Sequence, residues 1–285
     1  MSGDASPSGL LLIDKPAGIT SHDAVDRVRR ALGQRKVGHS GTLDPMATGL
    51  LLLGVGRATR LLRFLADFLK VYEGTGVLGI ETTTLDALGE VVTQRAVTVE
   101  ARELVTAMEA FVGDIEQVPP AYSAVKVGGE KLYRAARAGR QVEAPPRTIT
   151  VKAFELLSFA PPAFGFRVRC SGGTYVRSLV ADVGSKLLCG AHLVALRRTA
   201  IGPFQVADAR SPDDPGPLLP LELAVAHLPE VSLTAEEAKV ATRGTILGPA
   251  GILGPYRVLA PDGRLIAIYL DRGSKASPEV VLSPS

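Results

Sequence analysis

The chain has 285 residues, of which 46% are hydrophobic and 21% are charged, and its formal net charge is +3. This composition excludes wholesale disorder, which requires low hydrophobicity and a high net charge, and the length predicts one large domain or a large domain with a small one. No apolar run approaches the ~18 residues of a membrane span and no secretion signal is evident, so we expect a cytoplasmic protein without a membrane partner.

The charges are distributed unevenly along the chain. Residues 25–70 contain nine basic and three acidic side chains, residues 120–150 contain six and two, and residues 208–237 contain one and seven. Basic segments confined to the first two-thirds are typical of a face that binds a polyanion. A solvated charged surface would give the same counts, so charge alone leaves both interpretations open.

Apolar periodicity in the first third of the chain predicts strands and helices joined by glycine-rich loops. In chain order we predict a strand over 10–13, a helix that Thr20 and Asp23 cap and Gly33 ends, a loop over 38–49, a strand over 50–55, a helix over 61–69 and a strand over 71–80. The spacing of Thr20 and Asp23 resembles a capping box.

The rest of the chain continues this mixture. We predict a helix between Thr98 and Gly113, a basic excursion over about 118–146, a strand over 166–170, a helix over 176–187, a surface crossing over 211–220, a helix over 235–242 and a hairpin over 256–270. Because there is no regular βαβ rhythm, we expect an α+β fold with a mixed, mostly antiparallel sheet flanked by helices. We expect one domain over 1–230 and a small β-rich domain over 231–285.

The sequence offers no spacing that is typical of a metal or nucleotide site. Cys170 and Cys189 do not form a CxxC pair, and the four histidines form neither HxxxH nor HExxH. No GxxxxGK[ST] phosphate loop is present, and Gly54-Val55-Gly56 lacks the third glycine of a dinucleotide-binding turn. We therefore expect no metal and no cofactor.

The segment between Lys36 and Gly49 places one carboxylate, Asp44, before a proline in a glycine-rich loop with basic segments on either side. A single carboxylate can act as a nucleophile or base without a metal. An aspartate before a proline is also typical of a turn in which the side chain caps its own backbone. The loop by itself leaves both alternatives open.

Two further motifs favour chemistry at Asp44. They are Lys70-Val71-Tyr72 at the start of a strand and Ser171-Gly172-Gly173-Thr174-Tyr175-Val176-Arg177 at the start of a helix. With the Asp44 segment, the chain resembles the TruB-type tRNA pseudouridine synthases, which isomerise the uridine at position 55 of the tRNA T-loop. The likeness continues through residues 14–21, 78–89, 119–126 and 189–198, with mild departures at Ser40, where threonine is usual, and at Arg60, where lysine is common.

The resemblance implies roles for three catalytic residues. Asp44 matches the catalytic aspartate, Tyr72 matches the tyrosine that stacks on the target base and accepts the C5 proton, and Arg177 matches the arginine paired with the aspartate. This pairing makes physical sense, because an isolated buried carboxylate tends to take up a proton and a guanidinium in two-point contact keeps it ionised.

The resemblance also implies substrate-binding residues, the architecture and the partner. The implied substrate-binding or RNA-binding residues are His39, Tyr175, Leu196, Lys15, Lys126, Lys131, Arg134 and Arg137. We expect the pseudouridine synthase fold, with the excursion over 118–146 folding over the T-stem as a thumb and residues 231–285 forming a PUA-like RNA-binding domain. The expected partner is tRNA, without a guide RNA, and the expected state is a monomer. The isomerisation needs no redox step or group carrier, in keeping with the absence of cofactor motifs.

Three alternatives stay open at this point. A non-catalytic tRNA-binding or tRNA-folding protein would keep the fold without needing Asp44. A T-loop uridine methyltransferase would need Cys170 or Cys189 as a nucleophile. A member of the same superfamily could also act on a different target, with or without a guide RNA.

Overall fold

The computed structural model describes residues 7–123, 125–132, 138, 140, 142 and 144–282. Within this part of the chain lie four α-helices, namely α1 Ser21–Leu32, α2 Ala101–Glu109, α3 Val176–Lys186 and α4 Ala235–Ala241. Short 3-10 helices lie at Gly56–Arg60, Leu62–Leu65, Val206–Asp208 and Leu221–Ala224. None of the helices in the described ranges is long and apolar enough to cross a membrane.

The strands of the described residues are, in chain order, β1 Gly9–Lys15, β2 Val37–Ser40, β3 Thr48–Val55, β4 Lys70–Leu78, β5 Ile80–Thr82, β6 Val91–Gln94, β7 Gly113–Gln117, β8 Lys126–Val127, β9 Glu130–Lys131, β10 Arg147–Ala160, β11 Ala163–Cys170, β12 Ala191–Ile201, β13 Phe204–Gln205, β14 Glu230–Ser232, β15 Pro255–Leu259, β16 Leu265–Arg272 and β17 Lys275–Val281.

One large sheet contains nine of these strands and has the order β1-β3-β12-β4-β11-β10-β7, with β2 on β3 and β13 on β12. Its pairs are antiparallel except for β12 with β3, which run parallel. The sheet is therefore mixed and mostly antiparallel, and the predicted α+β class is confirmed.

Both faces of strands β1 and β3 are buried, which explains their continuous apolar runs. In β1, Leu11 and Ile13 join Val25 and Val28 of α1 in one cluster on one face of the sheet. The alternate residues of β1 and β3 lie in a second cluster on the opposite face, which also contains C-terminal residues such as Val280. Helices α2 and α3 cover the other half of the sheet.

The N-terminal elements follow the predictions closely. Thr20 and Asp23 form both hydrogen bonds of a capping box, and Gly33 ends α1 in the left-handed conformation at φ 62°. Leu10–Ile13, Leu50–Val55 and Val71–Leu78 lie in strands, as predicted.

Two predictions in this part of the chain were wrong. Residues 38–40 continue strand β2 rather than forming a loop, because Gly38, His39 and Ser40 pair antiparallel with residues 52–54 of β3. Only residues 41–47, called the Asp44 loop below, separate β2 from β3. The predicted helix over 61–69 is instead a pair of 3-10 turns over 56–65, and the ammonium of Lys70 donates to the carbonyls of Ala66 and Phe68 at their end.

The C-terminal part contains a second sheet in the order β14-β15-β16-β17, against which α4 packs. The predicted hairpin is present as β15 and β16, and the predicted helix over 235–242 is α4. Strand β14 begins at Glu230, at the predicted start of the small β-rich unit.

Candidate active site

The Asp44 loop is held on both sides of its carboxylate. The hydroxyl of Ser21, the first residue of α1, donates to the carbonyl of Leu43 at 3.1 Å and accepts the Leu43 N–H at 2.8 Å. The N–H of Gly18 donates to the carbonyl of Pro45 at 2.9 Å. Because both neighbours of Asp44 are fixed, the backbone at Asp44 has little freedom to move.

Lys15 supports the same loop from inside the protein. Its side chain is fully buried, and its ammonium donates to the carbonyls of Pro16 and Ile19, each at 2.8 Å, and to the carbonyl of Pro45 at 3.3 Å. Burial lowers the pKa of Lys15 to about 8, an effect that nearby Asp44 opposes. The charged group of Lys15 therefore faces backbone carbonyls rather than solvent.

Arg177 and Asp44 form an ion pair, as the resemblance implied. The Nε of Arg177 lies 2.8 Å from one carboxylate oxygen as an ion-pair contact, and its Nη2 donates to the other oxygen at 3.2 Å. The Arg177 side chain is 4% exposed and the Asp44 side chain 34%. The guanidinium is thus enclosed while the carboxylate remains accessible, and the two-point contact fixes the orientation of the carboxylate.

The other donors of Arg177 are also used. Nη1 donates to the carbonyl of Thr84 at 2.9 Å, and Nη2 donates to the carbonyl of Tyr122 at 3.1 Å. Nη1 also lies 3.6 Å from a carboxylate oxygen of buried Asp86. The role of Asp86 was not predicted, since a contact between residues so distant in the chain leaves no local pattern in the sequence.

Tyr72 lies in the middle of the large sheet on β4. It is 8% exposed and shares one apolar cluster with Leu43, Ala47 and Leu196. The cluster brings the predicted pocket residue Leu196 together with Tyr72 and both ends of the Asp44 loop. Burial raises the pKa of the Tyr72 phenol above its ordinary value, and the Arg198 guanidinium beside it opposes this shift.

Tyr175 is held by the two residues that flank the segment over 118–146, which is called the insertion below. The side-chain amide of buried Gln117 accepts the N–H of Tyr175 at 2.8 Å and donates to its carbonyl at 3.0 Å. The Arg147 guanidinium carbon lies 5.1 Å from the centroid of the Tyr175 ring, and Nη2 is 3.4 Å from its hydroxyl. Since Tyr175 precedes α3, these contacts also fix the start of the helix that carries Arg177.

His39 lies in β2 rather than in a loop, opposite Leu53 of β3. It is half-buried, and within the described part of the chain its Nδ1 has no hydrogen-bond partner. Burial lowers the pKa of His39, and the positive charge of Arg198 adds to this effect. The side chain is thus a polar group near the Asp44 loop with an unused ring nitrogen.

A groove of about 510 Å³ lies beside the Asp44 loop. Its lining includes Met46 and Thr48 from the loop end, Gly74 and Phe166 from the sheet, and Leu196. At Gly74 a Cβ would lie 2.6 Å from the Phe166 ring and 2.8 Å from the carbonyl of Ala195. The strand therefore has no room for a side chain at this position of the groove.

The four basic residues expected in the insertion are only partly covered by the structure. The backbone of Lys126 and Lys131 forms the short β8–β9 hairpin, where the two residues pair with each other. Arg134 and Arg137 lie outside the described residues.

Sequence reasoning missed one further side chain of this region, Arg198. A signal for it was present, because strand alternation places neighbouring Arg197 and Arg198 on opposite faces, so one of them must point inward. Arg198 is 1% exposed, whereas the guanidinium of Arg197 forms a two-point contact with Asp14 at 2.7 and 3.0 Å.

Taken together, the site offers an accessible carboxylate paired with a buried arginine, a buried phenol beside a second arginine, and an adjoining groove. Within the described residues, no cluster of three histidine, cysteine, aspartate or glutamate side chains is arranged to hold a metal ion. The arrangement suits nucleophilic or general-base chemistry by Asp44.

Family models match most of the chain. Residues 29–176 match the TruB family pseudouridylate synthase N-terminal domain. Residues 177–213 match the tRNA pseudouridylate synthase B C-terminal domain, and residues 228–283 match the tRNA pseudouridine synthase II C-terminal domain.

Relatives of similar length are also found. The tRNA pseudouridine synthase B of Thermobifida fusca is 47% identical over 97% of this chain and 99% of its own. The tRNA pseudouridine synthase B of Nocardia farcinica is 47% identical over 97% of this chain and 94% of its own.

Solved structures share the fold. A chain of the archaeal box H/ACA sRNP Nop10–Cbf5 complex superposes with a TM-score of 0.73 at 26% identity, covering 97% of this chain and 86% of that chain. A Cbf5–Nop10–Gar1 complex gives 0.71 at 27% identity, over 96% and 84%. The expected pseudouridine synthase fold is therefore confirmed, and the chain belongs to the TruB family of tRNA pseudouridine synthases, which are isomerases.

Proposed function

We propose that this enzyme isomerises uridine 55 in the T-loop of tRNA, with Asp44 as the essential catalytic residue. The observation that carries the proposal is the accessible Asp44 carboxylate in two-point contact with the enclosed Arg177 guanidinium. The likeness to relatives named tRNA pseudouridine synthase B supports tRNA as the substrate class.

The substrate uridine has to leave its stack before it can reach Asp44. Flipping a base out of a folded loop costs roughly a few kcal/mol of free energy. Stacking of the flipped base on an aromatic ring stabilises it by about 1–3 kcal/mol. Tyr72 can supply that ring, and Leu196 belongs to the same apolar cluster. A flipped base that enters from the groove would therefore lie between Tyr72 and the Asp44 loop.

The reaction breaks the N1–C1′ bond, turns the base and forms a C5–C1′ bond. Asp44 initiates it, and the two-point contact with Arg177 orients the carboxylate. Tyr72 then accepts the proton from C5, the C5–H electron pair becomes the C5–C6 double bond, and N1 takes up a proton from water. The sum is an isomerisation, so no co-reactant is consumed.

The other predicted residues bind or support the RNA in this proposal. His39, near the Asp44 loop, occupies space left by the flipped nucleotide, and Tyr175 lines the pocket next to Arg177. Lys15 acts through the Asp44 loop. Lys126, Lys131, Arg134 and Arg137 of the insertion contact tRNA phosphates, which predicts an affinity that falls as salt rises.

We further propose that residues 1–230 form the catalytic domain and residues 231–285 a PUA-like RNA-binding domain. The separate sheet of β14 to β17 supports this division. Although the solved neighbours come from ribonucleoprotein complexes, we propose that this chain acts as a monomer without a guide RNA. The support is its match to tRNA pseudouridine synthase B relatives over nearly their full length. We propose the cytoplasm as its location because the substrate is tRNA.

The test is tritium release from a tRNA transcript labelled at uridine C5, combined with mapping of the modified position. We expect the wild-type protein to release tritium and to place pseudouridine at position 55. A transcript with cytidine at position 55 serves as the matched control and should release none. Release from both transcripts would indicate another target, and release from neither, with tRNA still bound, would favour the non-catalytic tRNA-binding alternative.

A further inference from the structure

Arg198 is a buried cation at the centre of the large sheet. It lies on β12 directly opposite Tyr72 on β4, so the two side chains share one face of the sheet. It is 1% exposed and stands first among the largest fully buried side chains of the described residues. Burying a charge of this kind is unfavourable unless hydrogen bonds and an opposite charge compensate for it.

Two backbone carbonyls fix the orientation of the Arg198 guanidinium. Nε donates to the carbonyl of Leu50 on β3 at 2.7 Å, and Nη2 donates to the carbonyl of Gly41 at 3.0 Å. Gly41 has a left-handed φ of 76°, and a Cβ there would lie 3.4 Å from Nη1. The arginine thus joins β12 to β3 and to the beginning of the Asp44 loop.

The third nitrogen of the guanidinium points to Tyr72. Nη1 lies 3.4 Å from the Tyr72 hydroxyl oxygen, and the guanidinium carbon lies 5.9 Å from the centroid of the ring. Within the described residues, no carboxylate oxygen lies within the 4.0 Å limit of an ion pair to Arg198. The phenol oxygen, 3.4 Å from Nη1, is therefore the group in contact with the Arg198 guanidinium that can become its anion.

We propose that Arg198 is a positioning residue that fixes the Tyr72 hydroxyl and stabilises its phenolate for removal of the C5 proton. This inference rests on the proposed function. In the step concerned, the phenolate oxygen accepts the C5 proton and becomes a phenol, which returns the proton to water before the next cycle. The fixed cation favours the phenolate without moving during the reaction.

Other charges around Tyr72 do not replace this cation. The groups that act electrostatically on Tyr72 are Arg198 from β12, Cys170 from β11 and Asp44 from its loop. Burial, Cys170 and Asp44 all raise the pKa of the phenol, and Arg198 lowers it. Because Arg177 is already paired with Asp44, Arg198 is the cation placed to offset the burial of Tyr72.

The test compares wild type with Arg198→Lys and Arg198→Met, and uses Arg95→Lys, in an exposed ion pair with Glu81, as the matched control. The measurements are tRNA affinity, the single-turnover rate against pH, and ionisation of Tyr72 from the ultraviolet difference between each protein and its Tyr72→Phe partner. The ionisation measurement does not depend on catalysis.

We expect Arg198→Met to bind tRNA as wild type does and to ionise Tyr72 at higher pH. Its single-turnover rate should fall about tenfold or more near neutral pH and recover as the pH rises. Arg198→Lys, which retains a positive charge, should lie between the two, and Arg95→Lys should match wild type. If Arg198→Met does not fold, Arg198→Gln provides the neutral comparison, because its amide can still donate to a carbonyl.

An equal loss of rate at all pH values with an unshifted Tyr72 ionisation would overturn the proposal and leave Arg198 a purely structural role. The same conclusion would follow if both substitutions left ionisation and rate at wild-type values. Inactivity of the wild-type protein itself would instead contradict the proposed function.

Discussion

At Arg177 a single guanidinium serves two carboxylates and two carbonyls. Asp44 holds one side of it, while Asp86 and the carbonyl of Thr84 lie at Nη1. The Asp86 carboxylate is itself fixed by the Thr84 hydroxyl at 2.5 Å and the Leu88 N–H at 3.1 Å. A buried cation that two acids share is held more firmly than one held by either acid alone.

We therefore expect Asp86→Asn to lower the single-turnover rate on tRNA by about tenfold, equivalent to about 1.4 kcal/mol, without changing tRNA affinity. The substitution keeps the shape but removes the negative charge beside Nη1. Glu81→Gln, which changes a half-buried carboxylate that pairs with Arg95 instead of Arg177, is the control and should stay near the wild-type rate. Equal rates for wild type and Asp86→Asn would show that Asp86 does not support Arg177.

Titration of the Lys15 ammonium makes the free energy of unfolding depend on pH in the alkaline range. Burial lowers the pKa of Lys15 from 10.5 to about 8 in the folded protein. Between these two pH values the Lys15 side chain therefore binds more protons in the unfolded chain than in the folded protein. The contribution of Lys15 to the free energy of unfolding therefore rises with pH across this window and is constant below it.

Denaturant unfolding of wild type and Lys15→Met at several pH values between about 7 and 10.5 tests this sign. The difference between wild type and variant should grow in favour of wild type as the pH rises, since other titrating groups cancel. A constant or shrinking difference would contradict the assigned burial of the ammonium.

Among single residues, the motifs that carry the family resemblance implied the contact of Asp44 with Arg177, which is present in the structure, and the role that they imply for Tyr72 stays a prediction. They did not assign roles to Asp86 or Arg198. A charged residue in a strand is usually exposed, and its inward orientation follows only from carbonyls supplied by other strands. The partners of Arg198 come from β3 and from the start of the Asp44 loop.

At the scale of elements, the strands that flank the insertion join it to the active site. Gln117 and Arg147 pair directly across β7 and β10, and both contact Tyr175 immediately before α3. The carbonyl of Tyr122, inside the insertion, also accepts from Arg177. Displacement of the insertion would therefore change the position of Arg177 relative to Asp44.

Replacing Gln117 with leucine leaves the N–H of Tyr175 without the Gln117 acceptor, which costs about 1–3 kcal/mol for a buried group. The carbonyl of Tyr175 loses the Gln117 donor but still accepts the N–H of Leu179 at 3.2 Å. We expect Gln117→Leu to lower both the free energy of unfolding and the single-turnover rate. Gln205→Leu, at an exposed position on β13, is the control and should change stability by less than about 0.5 kcal/mol. Loss of stability with an unchanged rate would mean that the contact of Gln117 with Tyr175 does not affect the position of Arg177.

Elements with regular periodicity were predictable and irregular ones were not. Helices α1 and α3 and the β15–β16 hairpin follow simple apolar spacing. Strands β10 and β12 were not predicted over their lengths of 147–160 and 191–201, because each contains two register shifts that break the alternation of every second residue.

At the scale of the whole molecule, the C-terminal sheet shares a core with the large sheet and is also held by three arginines. Leu265, Ile268, Val280 and Leu282 belong to the cluster that includes Leu10. The arginines, called the arginine ladder, are Arg57, Arg60 and Arg63, which donate to the carbonyls of Leu282, Val281 and Glu279 respectively. Their spacing of three residues in 3-10 turns places them on one side of the chain.

The ladder accounts for part of the basic charge that the sequence analysis associated with a polyanion-binding face. These three guanidinium groups bind the end of β17 and its following residue. The number of basic residues is a property of the sequence, but their distribution between tRNA and the protein's own carbonyls depends on how the two sheets meet.

Replacing the arginine ladder with methionines keeps most of the apolar stems and removes the charge-assisted hydrogen bonds, each worth on the order of 1 kcal/mol. We expect amide hydrogen exchange in β16 and β17 to become faster while exchange in β4 and β11 stays unchanged. Methionine replacement of Arg27, Arg102 and Arg264, which lie outside this contact, is the control. If the substitutions left exchange in β16 and β17 unchanged, or accelerated it equally in both sheets, the ladder would not hold the C-terminal sheet.

The central claim is that the Asp44 carboxylate, held by Arg177, carries out the isomerisation. The most direct measurement is single-turnover tritium release from C5-labelled tRNA by wild type and by Asp44→Asn, with tRNA affinity measured on the same samples. The account predicts release by wild type, none by Asp44→Asn and equal affinity for both. Release by Asp44→Asn at the wild-type rate would contradict it.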